Sequence, residues 1–122
     1  MKFVNFLISR LKSFIPAIEG IIYTIEHEKN TWIHIVATII ALIAIFALQL
    51  TSLETLFILS AIFIVWICEF FNTVIEYTLD FIQVDKNPKI KIIKDISAAG
   101  VLLSAIYAIL TAVIIITTKF SN

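Results

Sequence analysis

Four polar residues on one predicted helix are the best candidates for chemistry. Glu69, Asn72, Glu76 and Asp80 follow one another at spacings of three, four and four residues. At about 100° per residue, this spacing places them in a stripe about 80° wide on one helix face. Glu69 and Glu76 are about 10 Å apart along the axis. That separation suits a magnesium-bound polyphosphate at one end and a reacting hydroxyl at the other.

The composition around this stripe is that of an integral membrane protein. Of 122 residues, 61% are hydrophobic and 15% are charged, against about 45–50% and about 25% in soluble domains. A chain this small has too little interior to hide the surplus, which excludes a soluble monomer. Nine basic and nine acidic residues leave no positive field for nucleic acid. The single Cys68 excludes an internal disulfide and most cysteine-based metal sites.

Three transmembrane helices are predicted, at about 31–50, 53–81 and 95–118, in an all-α fold. Residues 30–53 and 96–118 contain no Lys, Arg, Asp or Glu, and each segment exceeds the roughly 20 residues that a span needs. Residues 55–68 are apolar but too short to span alone, so the second span must continue through the acidic stripe.

Residues 1–29 are predicted to form amphipathic surface helices. Their apolar residues recur every three or four positions, which suits a helix lying in the membrane interface. These residues are Phe3, Phe6, Leu7, Leu11, Phe14, Ile15 and Ile18. Pro16 is expected to end or kink the first helix, and a second is expected at about 17–27. No cleavable signal peptide is expected, since no apolar core with a small-residue cleavage site stands near the start.

The basic residues predict the orientation. Four precede the first span and four lie between the second and third, whereas one follows the third; in order these are Lys2, Arg10, Lys12, Lys29, Lys86, Lys89, Lys91, Lys94 and Lys119. The positive-inside rule therefore places the amino terminus and the 82–94 loop in the cytoplasm and the carboxyl terminus outside.

Acids at membrane depth need an explanation, because each costs about 2.5–3.5 kcal/mol to insert. We expect no basic residue of a neighbouring span to neutralise Glu69 and Glu76, and this favours a functional role over helix packing. Asp80, nearer the boundary, is equally well explained as a structural ion pair. A proton-coupled channel or transporter using Glu69 and Glu76 is an alternative function, and a purely structural membrane protein is a weaker one, because it leaves the stripe unexplained.

Several residues near the span boundaries have both a structural and a functional interpretation. In the structural interpretation, Lys94 reaches towards the interface and Asp95 caps the helix. In the functional one, Lys94 beside a helix start holds phosphate oxygens, and the two are equally supported. Glu28 either belongs to a solvated charged cluster or serves as a carboxylate ligand for magnesium. His34 is interpreted as a hydrogen-bonded interfacial residue and not as a metal ligand. No glycine-rich phosphate loop is present, because Gly20 and Gly100 are the only glycines.

The chain resembles the small prokaryotic diacylglycerol and undecaprenol kinases over residues 14–115. Residues 69–80 resemble the signature E-x-x-N-T-x-I-E-x-x-x-D. Lys94-Asp95, followed by small residues and Val101-Leu102, is similar to a second signature. Glu28-Lys29-Asn30 with Ile33-His34 is similar to the segment before the first span. The form of this segment and Pro88 resemble the undecaprenol kinases of Gram-positive type. Diacylglycerol remains the alternative acceptor.

The resemblance implies a homotrimer in the bacterial cytoplasmic membrane, with active sites shared between subunits and ATP and Mg²⁺ as the phosphoryl donor and metal. By resemblance Glu69 is the general base for the lipid hydroxyl, and Glu28 and Glu76 hold magnesium. The resemblance also implies that one residue, Ala98, contacts the lipid headgroup. The residues that it implies for positioning the nucleotide are Arg10, Asn72, Asp80, Asp85, Lys94 and Asp95. Trp32, Asn87 and Pro16 depart from common family patterns, which affects expected nucleotide or headgroup contacts.

Overall fold

The computed structural model describes residues 1–82 and 86–121, and the described part consists of five helices with no strand. The helices are α1 (Lys2–Lys12), α2 (Phe14–His27), α3 (Thr31–Ala47), α4 (Ser52–Ile82) and α5 (Pro88–Phe120). The chain forms two compact units, Met1–Ile33 and the part from His34 onward. The all-helical prediction is confirmed.

The first unit contains two helices whose apolar residues are exposed, including Phe3, Leu11 and Phe14. The break between α1 and α2 falls at Ser13, before Pro16 and not after it. A proline ring clashes with the carbonyl four residues earlier and offers it no N–H. For Pro16 that carbonyl belongs to Lys12, which is why α1 ends there. Pro16 itself sits in the first turn of α2, where its missing N–H costs nothing.

Two helices of the second unit are long and apolar enough to cross a membrane. These are α4, with 31 residues, and α5, with 33. The 17 residues of α3 reach about 25 Å at 1.5 Å per residue, just short of a hydrocarbon core of about 30 Å. α3 becomes a third candidate span only when it is counted together with the helices before it.

The third predicted span begins earlier than expected. Asn87 caps α5 by accepting a hydrogen bond from the backbone N–H of Lys89 at 2.9 Å, and Pro88 occupies the first turn. The prediction of an 82–94 loop is therefore wrong from Pro88 onward, and so is the prediction that Asp95 caps the helix. Lys94 and Asp95 lie about two turns inside α5.

Small and hydroxyl side chains form the seam along which α5 packs on α4. Ser97, Ser104 and Thr111 recur every seven residues, and all three are buried or half-buried. Such residues let two helix backbones approach closely in a membrane. Ser104 and Thr111 satisfy their hydroxyls within α5, on the carbonyls of Val101 and Tyr107. Ser97 is different, because its hydroxyl reaches across to α4.

A tight turn joins α3 to α4. Gln49 has a positive φ of 50°, and the N–H groups of Gln49 and Leu50 bond back to the carbonyls of Phe46 and Ile45, as in a Schellman motif. Thr51 and Glu54 then form a reciprocal capping box at the start of α4, with bonds of 2.8 and 3.2 Å. Lys119 donates to the carbonyl of Gln49 at 3.1 Å.

Replacing Gln49 with Gly should stabilise the protein, because glycine adopts a positive φ without steric cost. We expect the free energy of unfolding to rise by about 1 kcal/mol, seen as a higher midpoint of thermal unfolding in detergent micelles. Only the side chain changes, so the bond from Lys119 to the backbone carbonyl is retained. Leu48→Gly is the matched control and should not stabilise. A lower midpoint for Gln49→Gly would contradict this account of the turn.

Candidate active site

Glu69 lies on α4, and only 4% of its surface is exposed. Its Oε2 atom is 3.2 Å from Nε2 of His34 on α3. The expectation that no basic residue of a neighbouring span pairs with Glu69 is therefore wrong, because the His34 imidazole lies within hydrogen-bonding distance of it. His34 begins the second unit, and its position near the start of α3 brings the imidazole beside the buried carboxylate. His34 is hydrogen-bonded, as predicted, but its partner is Glu69, the acid at the buried end of the stripe.

The His34 ring is held by further contacts between α3 and α4. The indole of Trp66 meets it edge-on, with ring centroids 6.1 Å apart. The indole N–H of Trp66 in turn donates to Thr38 Oγ1 at 2.9 Å. His34 and Thr38 are one turn apart on α3, and Trp66 and Glu69 are one turn apart on α4. The two helices thus fix the carboxylate–imidazole pair through side chains on successive turns.

Asn72 and Glu76 form the next part of the site. The amide nitrogen of Asn72 lies 3.4 Å from Glu76 Oε1, and the amide oxygen of Asn72 accepts a 2.8 Å hydrogen bond from the Ser97 hydroxyl. Both Asn72 and Glu76 are half-buried. Ser97 therefore fixes which way the Asn72 amide faces, and the amide N–H₂ is turned towards the Glu76 carboxylate.

Asp80 and Lys94 form an ion pair between α4 and α5. The Asp80 side chain is 64% exposed and that of Lys94 is 34% exposed, so the pair lies at the open end of the stripe. Lys94 lies well inside α5, so the positively charged amino-terminal end of that helix does not help it to bind phosphate. Asp95 lies about 100° further round α5 and pairs instead with Lys91 at 2.6 Å. Lys94 and Asp95 therefore face different surroundings.

The other predicted site residues are placed as follows. Ala98 is exposed on α5. Glu28 is half-buried and directly follows α2. Arg10 lies on α1 with its guanidinium 5.2 Å from the ring centroid of Phe6. Asp85 lies outside the described residues.

Two residues escaped the prediction of the site, His34 and Ser97. His34 carried a signal, because it closes the Glu-x-Asn-x-x-Ile-His segment of residues 28–34. Its distance from Glu69 depends on how α3 packs, which spacing along the chain does not reveal. Ser97 shares its heptad position with Ser104 and Thr111, so the sequence does not distinguish the hydroxyl that crosses to α4 from those that remain within α5.

The oxygen-rich arrangement around Glu76 suits a hard cation. Among residues 1–82 and 86–121, no group of three or more His, Cys, Asp or Glu side chains could hold a metal alone. Magnesium does not need such a cage, because it commonly binds one or two carboxylates together with substrate phosphates and water. A half-buried carboxylate such as Glu76, next to an amide, fits this mode of binding.

The stripe as a whole runs from a buried carboxylate to an exposed ion pair. Glu69 is enclosed, Asn72 and Glu76 are half-buried, and Asp80 is exposed. One end can therefore take a proton from a group held in an apolar environment, while the other can meet a charged, water-soluble molecule. A stripe with these two ends can serve an enzyme that joins an apolar reactant to a polar one.

Comparison with known proteins agrees with this class. The family model described as prokaryotic diacylglycerol kinase matches residues 16–116. An undecaprenol kinase from Bacillus subtilis (strain 168) is 32% identical over 108 residues, which cover 88% of each chain. The chain belongs to the prokaryotic diacylglycerol kinase family and is a lipid kinase. The predicted family resemblance is confirmed.

The contact between Ser97 and Asn72 should matter for the polar reactant. Replacing Ser97 with Ala removes one hydrogen bond, worth about 0.5–1.5 kcal/mol, and frees the Asn72 amide to turn. We expect the KM for the phosphoryl donor to rise about three- to tenfold, measured from initial rates of lipid phosphorylation. Ser104→Ala is the matched control, since its hydroxyl bonds only within α5. Equal KM values for the two variants would contradict the role of Ser97.

Proposed function

We propose that this lipid kinase transfers the γ-phosphoryl group of ATP to the hydroxyl of undecaprenol at the cytoplasmic boundary of the membrane. The observation that carries the proposal is the change in burial along the stripe, from Glu69 at 4% exposure to the exposed Asp80–Lys94 pair. A lipid alcohol and a nucleotide differ most in their affinity for water. This stripe offers each of them a suitable end.

Glu69 is the general base in this proposal. It accepts the proton of the lipid hydroxyl as the oxygen attacks the γ-phosphorus in line with the bond to ADP. The position of Glu69 supports this role, because it is the enclosed carboxylate at the end of the stripe proposed for the lipid.

Glu76 and Glu28 would hold magnesium on the ATP phosphates. The bound ion would neutralise charge on the transferring phosphoryl group. Glu76 is supported by its half-burial beside Asn72 and by its place one turn from Asp80. Glu28 is supported by the resemblance of residues 28–34 to the family segment.

The remaining site residues are assigned to binding. Asn72, Asp80 and Lys94 would position the ATP phosphates, and Asp80 would hold the Lys94 ammonium ready for them. Two further assignments rest on the family resemblance alone. Arg10, Asp85 and Asp95 would contact the nucleotide, and Ala98 would contact the lipid headgroup.

Undecaprenol is proposed as the acceptor on two grounds. The curated relative that covers 88% of this chain is an undecaprenol kinase. Residues 28–34 also have the Glu-x-Asn-x-x-Ile-His form that resembles the undecaprenol kinases. The family name makes diacylglycerol the alternative.

The proposed assembly is a homotrimer with shared active sites, in the bacterial cytoplasmic membrane. The amino terminus and the segment before α5 would face the cytoplasm. The positive-inside rule supports this orientation, because Lys119 is the one basic residue at the opposite end. The first unit, with its row of exposed apolar residues, would lie in the interface as a surface helix.

Replacing Glu69 with Gln should abolish turnover of undecaprenol while ATP binding is retained. The amide keeps the shape of the side chain but cannot accept the hydroxyl proton, so we expect kcat to fall at least about 100-fold. Labelled lipid phosphate in mixed micelles measures turnover, and nucleotide binding is measured by calorimetry. Glu54→Gln, at the far end of the same helix, is the matched control. Near-normal kcat in Glu69→Gln would refute the role of Glu69.

Replacing Glu76 with Gln should change the dependence on magnesium. Loss of one carboxylate ligand should raise the Mg²⁺ concentration for half-maximal activity about tenfold or more. The measurement is a magnesium titration of initial rates at fixed total ATP. An unchanged titration midpoint, with reduced or normal maximal rate, would show that Glu76 does not hold the metal.

A further inference from the structure

We propose that His34 is a positioning residue for the phosphoryl transfer. Its Nε2–H group holds Oε2 of Glu69, 3.2 Å away, so that the other carboxylate oxygen, Oε1, faces the lipid hydroxyl. This inference rests on the proposed function, in which Glu69 takes the hydroxyl proton. It adds the residue that orients the base.

The direction of the hydrogen bond follows from the chemistry of Glu69. A base must be ionised before it accepts a proton, and an ionised carboxylate has only acceptor atoms. The Nε2 atom of His34 must therefore carry a hydrogen and donate it. The imidazole performs this task whether neutral or protonated, so the arrangement does not depend on a change in its charge.

The imidazole is itself restrained, which a positioning residue requires. Trp66 packs edge-on against it, and Thr38 fixes the Trp66 indole through a 2.9 Å hydrogen bond. Only 14% of the His34 side chain is exposed. A base held by such a frame keeps its angle to the substrate, and small errors in placement at a reacting centre are costly.

The surroundings of the pair strengthen the hydrogen bond. His34 lines one end of a cavity of about 370 Å³ between α3, α4 and α5. Among the described residues that line it, only His34 and Thr38 are polar. The rest are apolar, including Ala37 and Ala41 on the same helix. In such an environment a hydrogen bond to a charged group is stronger than in water, and a missing one is more damaging.

During the transfer step His34 keeps its hydrogen and continues to donate it to Glu69. The hydroxyl proton moves to Oε1 of Glu69 as the new bond forms between the lipid oxygen and the γ-phosphorus. The bond from that phosphorus to the bridging oxygen of ADP breaks, and ADP leaves with the electron pair. The His34 hydrogen remains on Nε2 throughout. Afterwards the protonated Glu69 releases its proton to water.

Two substitutions separate positioning from packing. His34→Leu fills the space but removes the donor, and we expect kcat to fall about 100-fold while the KM for ATP changes by no more than about twofold. His34→Gln keeps an N–H donor at the end of its side chain and should recover at least about tenfold of that loss. Tyr107→Phe is the control, since it removes another contact between helices, the hydroxyl pair with Ser60, away from the stripe.

Chemical rescue provides the second readout. His34→Ala leaves a space next to the cavity, and added imidazole should raise its kcat in a saturable way while leaving His34→Leu unchanged. Loss of activity in all three His34 variants in proportion to loss of folded protein, with no rescue, would overturn the proposal and leave His34 a purely structural residue. Normal kcat in His34→Leu would overturn it too.

The wild type and Glu69→Gln distinguish failure of this inference from failure of the proposed function. If Glu69→Gln is inactive and His34→Leu is normal, only the role of His34 falls. If Glu69→Gln is active, or the wild type phosphorylates no lipid, the proposed mechanism itself fails.

Discussion

The buried carboxylate of Glu69 is the constraint on which the rest of the second unit depends. A charged group inside a membrane protein is costly unless it is paired and hydrogen-bonded, and here its partner is one imidazole at 3.2 Å. That contact requires α3 to lie beside α4 at the level of Glu69. The Trp66–Thr38 bond holds the same two helices one turn away from the pair. The pairing of the buried carboxylate and the packing of α3 on α4 therefore depend on the same contacts.

The seam between α4 and α5 then arranges the end of the stripe that is proposed to bind the nucleotide. Hydroxyl side chains recur every seven residues on α5, and two of the three bond within their own helix. Ser97 alone of these three crosses, and it orients the Asn72 amide beside Glu76. One turn before Ser97, Lys94 reaches Asp80. A close helix contact built from small residues thus also sets the order of polar groups from the buried to the exposed end.

Much of this arrangement is readable in the sequence, because helical periodicity is a local property. The spacing of Glu69, Asn72, Glu76 and Asp80 predicts a shared face, and the amphipathic pattern predicts helices in the first unit. The start of a helix is harder to predict from the sequence. Asn87 and Pro88 favour the cap and the first turn of a helix, and α5 therefore begins before Lys94 even though charged residues follow. The partners of Glu69 and Asn72 come from other helices. Their contacts depend on packing and rotation, which no spacing within one helix specifies.

The central claim is that this site phosphorylates undecaprenol from ATP. The most direct test gives the purified protein labelled ATP and magnesium in mixed micelles that contain equal amounts of undecaprenol and diacylglycerol. The account predicts that the label appears in undecaprenyl phosphate, in clear excess over phosphatidic acid. Label mainly in phosphatidic acid would contradict the proposed acceptor, and no labelled lipid from folded protein would contradict the proposed reaction.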